Sequence, residues 1–90
     1  MNLQQIQGKK FCVVFAKYSG ENEDKVQLRC HHGHAVLQDN DKLFLHEDVS
    51  GAMIGVPSSA YNKILPSDGT DLLKDSDYFV IVKVDKNIEF

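Results

Sequence analysis

Apolar side chains fill both alternating sets of positions in the first run of the chain, residues 9–18 (KKFCVVFAKY). Neighbouring side chains of a strand point to opposite faces, so a run that is apolar in both sets is typical of a strand covered on both sides. The last run, residues 77–85 (DYFVIVKVD), has the same character. The two sets of the first run are Phe11, Val13 and Phe15, and Cys12, Val14 and Ala16. We therefore predict that the first and last strands lie side by side in a sheet.

A second run, residues 25–38, alternates between a more apolar and a more polar set. This alternation predicts a half-buried strand whose inward face holds the more apolar set. That set is Val26, Leu28, Cys30, His32, His34 and Val36. Gly33 interrupts the run and predicts a bend or bulge, after which the inward register can shift.

Turn residues divide the middle of the chain into short segments. Residues 39–41 (DND) and 48–51 (DVSG) predict turns on either side of a returning strand at 42–47. A further short strand at 52–56 ends at Pro57, because proline cannot donate a hydrogen bond to a neighbouring strand.

The remaining segments complete the predicted fold. Ser58 can cap one short helical turn, residues 66–71 (PSDGTD) predict a loop, and residues 72–75 can form a further turn. These segments together predict an all-β fold, a small barrel or rolled antiparallel sheet of about five to six short strands with one short helical turn. We expect residues 1–90 to form a single small β-barrel domain. The predicted core is Phe15, Val36, Leu43, Ile54, Val80 and Val82.

Composition and charge narrow the range of partners. The hydrophobic fraction of 42% and the charged fraction of 26% are ordinary for a globular chain of 90 residues. The net charge is −3, and residues 46–90 hold four basic and eight acidic side chains. A nucleic-acid binder needs a basic stripe, so no nucleic-acid partner is expected. The chain shows no signal-peptide pattern and no run of bilayer-spanning length, so we expect a soluble cytoplasmic protein with free thiols and no membrane partner.

Residues 29–47 (RCHHGHAVLQDNDKLFLHE) contain all four histidines and one of the two cysteines. Cys30, His32 and His34 fall on one face of the predicted strand, and His46 on the returning strand could supply a fourth metal ligand. The alternative is that Cys30 is a core residue, that His31 is exposed, and that His32 and His34 are half-buried at the rim. The sequence leaves both readings open. It offers no set of catalytic residues, so neither an enzyme nor a cofactor is expected.

Two segments resemble Src-homology-three domains. Residues 16–33 (AKYSGENEDKVQLRCHHG) are similar to the opening of that family, in which an Ala-Leu-Tyr-Asp-Tyr stretch precedes an acidic loop and a strand ending in Gly. Residues 51–61 (GAMIGVPSSAY) resemble its Gly-x-x-Gly-x-x-Pro-Ser-Asn-Tyr segment with altered spacing. The resemblance implies an SH3-like small barrel, with Pro57 and Tyr61 at the position of the family's peptide-binding groove. The chain has no Trp, the residue that forms a main wall of that groove.

These observations support two functional hypotheses. The first is a non-enzymatic protein-interaction module with an adaptor or regulatory role, which binds a protein or peptide. Its candidate partner-binding residues are Tyr18, Glu21, Glu23, Asp24, Pro57 and Tyr61. Tyrosine suits such a surface because it offers a large rigid face and a hydrogen-bonding tip, and the acidic loop favours a basic partner. The second hypothesis is a metal-binding protein that uses Cys30, His32, His34 and His46.

Overall fold

The computed structural model describes residues 3–39, 41–67 and 76–85. These residues are mostly extended, which confirms the predicted all-β fold. The strands are β1 (Lys10–Ser19), β2 (Lys25–Gln38), β3 (Lys42–Glu47), β4 (Met53–Gly55), β5 (Leu65–Pro66) and β6 (Tyr78–Val84). Two short 3-10 helices, Leu3–Gln5 and Ser58–Lys63, lie before β1 and after β4. The second of them is the predicted helical turn, although its N-cap residue is Pro57 and not Ser58.

β1 lies near the middle of one sheet, with β2 antiparallel to it on one side and β6 parallel to it on the other. The pairing of β1 with β6 runs from Phe11 beside Tyr78 to Lys17 beside Val84. The predicted adjacency of the first and last strands is therefore confirmed. Its cause is the apolar character of both faces, since an interior position in the sheet protects such strands from water on each side.

The strand order is β4-β3-β2-β1-β6-β5, and the sheet is not closed into a barrel. This finding corrects the predicted β-barrel domain, and the parallel pairing of β1 with β6 corrects the expectation of a wholly antiparallel sheet. The edge strands β4 and β5 contain three and two residues. Such short edges offer few backbone groups through which a sheet could close on itself.

The hydrophobic core lies against one face of the sheet, which we call the front face. Its largest fully buried side chains are Phe11, Ile6, Leu43, Leu45, Val13 and Val80. Ile6 follows the first 3-10 helix and Ala60 belongs to the second, so both helical segments contribute to this core. Of the predicted core, Leu43, Val80 and Val82 are buried in it, and Phe15 and Ile54 pack against it. The prediction for Val36 is wrong, because Val36 lies on the opposite face of β2 from the buried Ala35.

The sequence predicts that the more apolar alternating set of β2 faces the core. In the structure the opposite set faces the core. Gly33 and Ala35 are the buried residues of this strand, while Val26 and Leu28 are 50% and 55% exposed. Ala35 is paired with Leu45 of β3, which places both residues on the front face. The more apolar set of β2 therefore lies on the reverse side of the sheet, which we call the back face.

Gly33 does not form the predicted bulge, because the pairing of β2 with β1 continues through it without a shift, and the pairing with β3 reaches it in the same register. It is instead a point of close backbone approach. A Cβ atom at this position would overlap the carbonyl oxygen of His46 and would lie 3.0 Å from the Cα of Glu47. Only glycine fits between the two strands here without displacing one of them.

Part of the predicted loop at 66–71 and all of the predicted turn at 72–75 lie outside the described residues. Across the three described ranges, no helix has the length and apolar character needed to cross a membrane.

Candidate functional site

A group of apolar side chains on the back face, which we call the back patch, is partly open to water. Its members are Cys12, Val14, Val26, Leu28, Cys30, Leu65, Phe79 and Ile81. The strand registers place them in rows: Val14 lies between Cys30 and Ile81, and Phe79 lies beside Leu65. Leu65 and Ile81 are 54% and 51% exposed, close to the values for Val26 and Leu28. The exposed members thus form two pairs, one on β2 and one on β5 and β6, on either side of the buried Val14. Exposed apolar side chains grouped on one face are typical of an interaction site.

The centre of the back patch is well packed although its margin is exposed. Cys12 and Val14 of β1 are buried, and the half-buried side chains of Cys30 and Phe79 pack against them from β2 and β6. Burial, and to a smaller extent the neighbouring Cys30 thiol, raises the pKa of Cys12 to about 11. Cys12 therefore stays protonated at neutral pH, and a protonated buried thiol is not a nucleophile.

The residues of the metal hypothesis lie on the back face but do not converge. His32 is beside Cys12, with 4.0 Å between its Nε2 and the cysteine Sγ. His34 is paired with His46 across β2 and β3, and its Nδ1 donates to Oδ1 of Asp48 at 2.9 Å. Within residues 3–39, 41–67 and 76–85, no three His, Cys, Asp or Glu side chains are grouped as metal ligands would be.

The fourth histidine of the cluster, His31, takes part in a network on the other side of β2. Its Nδ1 donates to Oε2 of Glu47 at 2.5 Å, and the hydroxyl of Ser50 donates to Oε1 of the same carboxylate, also at 2.5 Å. The Ser50 oxygen accepts a hydrogen bond from the Ala52 amide at 3.1 Å. The Ser50 bond, followed by the His31 bond, holds the pKa of Glu47 below its usual range.

This network of serine, carboxylate and imidazole does not have the order that catalysis requires. In a hydrolytic triad the imidazole lies between the serine and the carboxylate, because it must take the proton from the hydroxyl. Here Glu47 lies between Ser50 and His31, so the imidazole has no contact through which to activate the hydroxyl. The arrangement instead ties β2 to the turn between β3 and β4. The sequence alone does not predict this network, because its contacts depend on the pairing of two strands.

The acidic loop residues lie at the end of the sheet where β1 turns into β2. Glu23 accepts a hydrogen bond from Lys83 Nζ at 3.3 Å, and the same ammonium group lies 5.2 Å from the centre of the Tyr18 ring. Tyr18 and Glu23 are thus brought together by a lysine of β6. Glu21 and Asp24 are exposed in the same loop. This acidic loop adjoins the back patch, because Tyr18 follows Val14 and Ala16 along the back face of β1.

Pro57 and Tyr61 lie on the other side of the molecule from Tyr18. The Tyr61 ring packs against the front-face core, and its hydroxyl oxygen accepts a hydrogen bond from the Leu43 amide at 3.0 Å. Pro57 is exposed at the start of the second 3-10 helix. The two tyrosines therefore face opposite sides of the sheet and do not line one groove.

The sequence does not predict the exposed members of the back patch. Alternation in β2 predicts that Val26 and Leu28 point inward, and alternation in β6 predicts that Phe79 and Ile81 lie on a covered second face, whereas Val26, Leu28 and Ile81 are about half exposed. One feature of the sequence does indicate an exposed apolar face. Two strands are apolar on both faces, and a chain of this size has few residues with which to cover both faces of a sheet.

A comparison with protein-family models, with curated proteins and with solved structures finds no match to this chain. Its function must be inferred from its own residues.

Proposed function

We propose that this protein is a non-enzymatic protein-interaction module whose contact surface is the back patch, with the acidic loop at its margin. The observation that carries the proposal is the exposure of four large apolar side chains on one face, each at about half of its surface: Val26, Leu28, Leu65 and Ile81. Within the described part of the chain no other layer covers this face. Burying such side chains against a partner is favourable by about 25 cal/mol per Å² of apolar surface removed from water.

The charges around the patch favour a partner with basic groups next to an apolar strip. Glu21, Glu23 and Asp24 lie at one end of it, and only Glu23 has a lysine partner among the contacts described above. Rim charges of this kind contribute mainly to the rate and the specificity of association, while the apolar centre supplies the affinity. The module therefore binds a protein surface that is apolar at its centre and basic at one end.

Capture from a native lysate with paired variants tests this proposal. The double variant Leu65→Thr/Ile81→Thr replaces two exposed apolar side chains on β5 and β6. Its matched control, Val49→Thr, changes a side chain that is 97% exposed in the turn between β3 and β4. We expect the unmodified protein and the control to retain the same partner, which the double variant fails to retain although its thermal unfolding is unchanged. The purified partner should then bind the bait directly. If the double variant keeps every partner of the unmodified protein, the back patch is not the contact surface.

A further inference from the structure

β2 is longer than the strand that covers its outer edge. β3 pairs with β2 only from Gly33 to Gln38, and one more bond joins the Asp48 amide to the carbonyl of His32 at 3.2 Å. From residue 25 to residue 31, β2 has β1 on one side and no strand among the described residues on the other. We call this segment the open edge.

The backbone groups of the open edge alternate in direction. Ala35 exchanges hydrogen bonds with residues next to β1, since its amide donates to Lys9 and its carbonyl accepts from Gly8. Backbone groups of successive residues in a strand point to alternate sides. His32 lies three residues before Ala35, and its carbonyl accordingly points to the outer side of β2. Along the same strand the residues that direct N–H and C=O outward are therefore Val26, Leu28 and Cys30. Unpaired groups of this kind are a template for another strand.

We propose that the open edge pairs antiparallel with the open edge of a second copy of this chain, with the two-fold axis at Leu28. Leu28 then lies opposite Leu28 of the second copy, and Val26 lies opposite Cys30 of the second copy. All of these residues direct their backbone groups outward, so each opposed pair exchanges both of its N–H···O bonds. Two six-stranded sheets join into one continuous sheet with closed two-fold symmetry.

Charge selects this register over its two neighbours. An axis at Gln27 places Lys25 opposite Arg29 of the second copy, and an axis at Arg29 places that residue opposite itself. Like charges directly opposite each other across two strands are destabilising. The axis at Leu28 instead places Lys25 opposite His31, whose imidazole holds the Glu47 carboxylate. The Lys25 ammonium group then lies next to the Glu47 carboxylate of the second copy. The two-fold symmetry repeats this contact on the other side of the axis.

The side chains of the outward-facing residues are also self-complementary in this register. Val26 and Leu28 lie on the back face and are about half exposed, and Cys30 is half-buried. Pairing brings them into direct cross-strand contact, which removes apolar surface from water and forms a row of contacts across the joined sheet. The opposed members of this row are all apolar or thiol groups, so no charge is buried.

This inference shares Val26 and Leu28 with the proposed binding surface, but it rests on the backbone edge of β2 and not on the β5 and β6 side of the back patch. The two proposals can fail separately. A protein that self-associates without retaining a partner supports only this one, and a monomer that binds its partner through Ile81 supports only the proposed function.

Sedimentation equilibrium of the full chain over a wide concentration series measures the association. We expect a reversible monomer–dimer equilibrium for the unmodified protein and a monomer for Leu28→Pro. Proline removes the outward N–H of Leu28 and obstructs the edge, while the pairing of β2 with β1 does not use that group. Leu65→Thr/Ile81→Thr should leave the dimer unchanged. If Leu28→Pro does not fold, Val26→Lys serves instead, since a charge on an edge strand also opposes pairing.

The register is tested by a cysteine introduced opposite Cys30. In Val26→Cys the new thiol faces Cys30 of the second copy in a hydrogen-bonded pair, at a Cα separation of about 5.5 Å that suits a disulfide. With oxidised glutathione as the oxidant, we expect a disulfide-linked dimer on a non-reducing gel. The matched control Gln27→Cys points to the front face and should not link to Cys30. Three results would each overturn the proposal: the unmodified protein is a monomer, the dimer persists in a folded Leu28→Pro variant, or both cysteine variants link equally. If the unmodified protein is a monomer that retains a lysate partner, and Leu28→Pro does not retain it, the open edge binds a segment of that partner instead.

Discussion

His31 in the middle of β2 and Glu47 at the end of β3 are joined across the sheet, with 2.5 Å between Nδ1 and Oε2. The bond lies at the point where β3 ends and the open edge of β2 begins. The hydroxyl of Ser50 completes the hydrogen bonding of the carboxylate from the following turn. This carboxylate therefore fixes the turn between β3 and β4 against β2, and its ionisation is coupled to folding.

We expect Glu47→Gln to be less stable than the unmodified protein at neutral pH and to lose less stability on acidification. Folding lowers the pKa of Glu47, so the unfolded chain binds more protons in the acid range than the folded chain does. The stabilisation is therefore present above the unfolded pKa and is lost as the pH falls through the folded one. Urea unfolding at a series of pH values measures this, with Glu21→Gln in the exposed loop as the control. If the free energy of unfolding falls with pH equally in Glu47→Gln and in the unmodified protein, the network does not contribute to the pH dependence of stability.

We expect Gly33→Ala to destabilise the protein by about 1–3 kcal/mol, the usual range for overpacking. The new methyl group would overlap the backbone of β3 at His46, and a backbone cannot move aside as a flexible side chain does. Gly55→Ala is the matched control, because its methyl group would meet only the Phe44 ring at an ordinary 3.7 Å. Chemical denaturation compares the two. Equal effects would mean that β2 and β3 do not approach each other as closely as described.

We expect Val80→Ala to lower the free energy of unfolding by about 2 kcal/mol, because it removes buried methyl groups and leaves a void in the front-face core. Val80 is fully buried beside Val13, whereas its neighbour Ile81 points to the back face and is half exposed. Ile81→Ala should therefore cost clearly less, although isoleucine is the larger side chain. If chemical denaturation shows a larger loss of stability for Ile81→Ala than for Val80→Ala, then Ile81 and not Val80 faces the core.

We expect Cys30 to react with iodoacetamide well before Cys12 in the folded protein. Cys12 is fully buried and its pKa is raised to about 11, whereas Cys30 is half-buried at the margin of the patch. Mass spectrometry of tryptic peptides after timed labelling separates the two sites, and labelling in urea gives the unprotected rates. Simultaneous modification of both thiols would contradict the packed centre of the back patch.

Within single segments, the hydrophobic pattern is sufficient to predict five of the six strands and the adjacency of β1 and β6. It does not predict the two-residue strand β5, whose Pro66 falls in the predicted loop. A strand that is apolar on both faces avoids water only inside a sheet, whatever the rest of the chain does. The segment before β1 gave no such signal. Ile6 is an isolated apolar residue in a polar stretch, and its complete burial depends on the placement of the first 3-10 helix over the front face.

The face that each strand of the sheet turns to the core was decided only by tertiary structure. Alternation in β2 defines two sets of side chains, but it does not state which set is buried. The register with β3 settled this by placing Ala35 opposite Leu45 and Gly33 against the backbone at His46. Leu28 consequently points away from the core. The histidines were separated for the same reason, because residues that are consecutive in a strand lie on opposite faces: His31 binds Glu47 on one side of the sheet, and His32 lies beside Cys12 on the other.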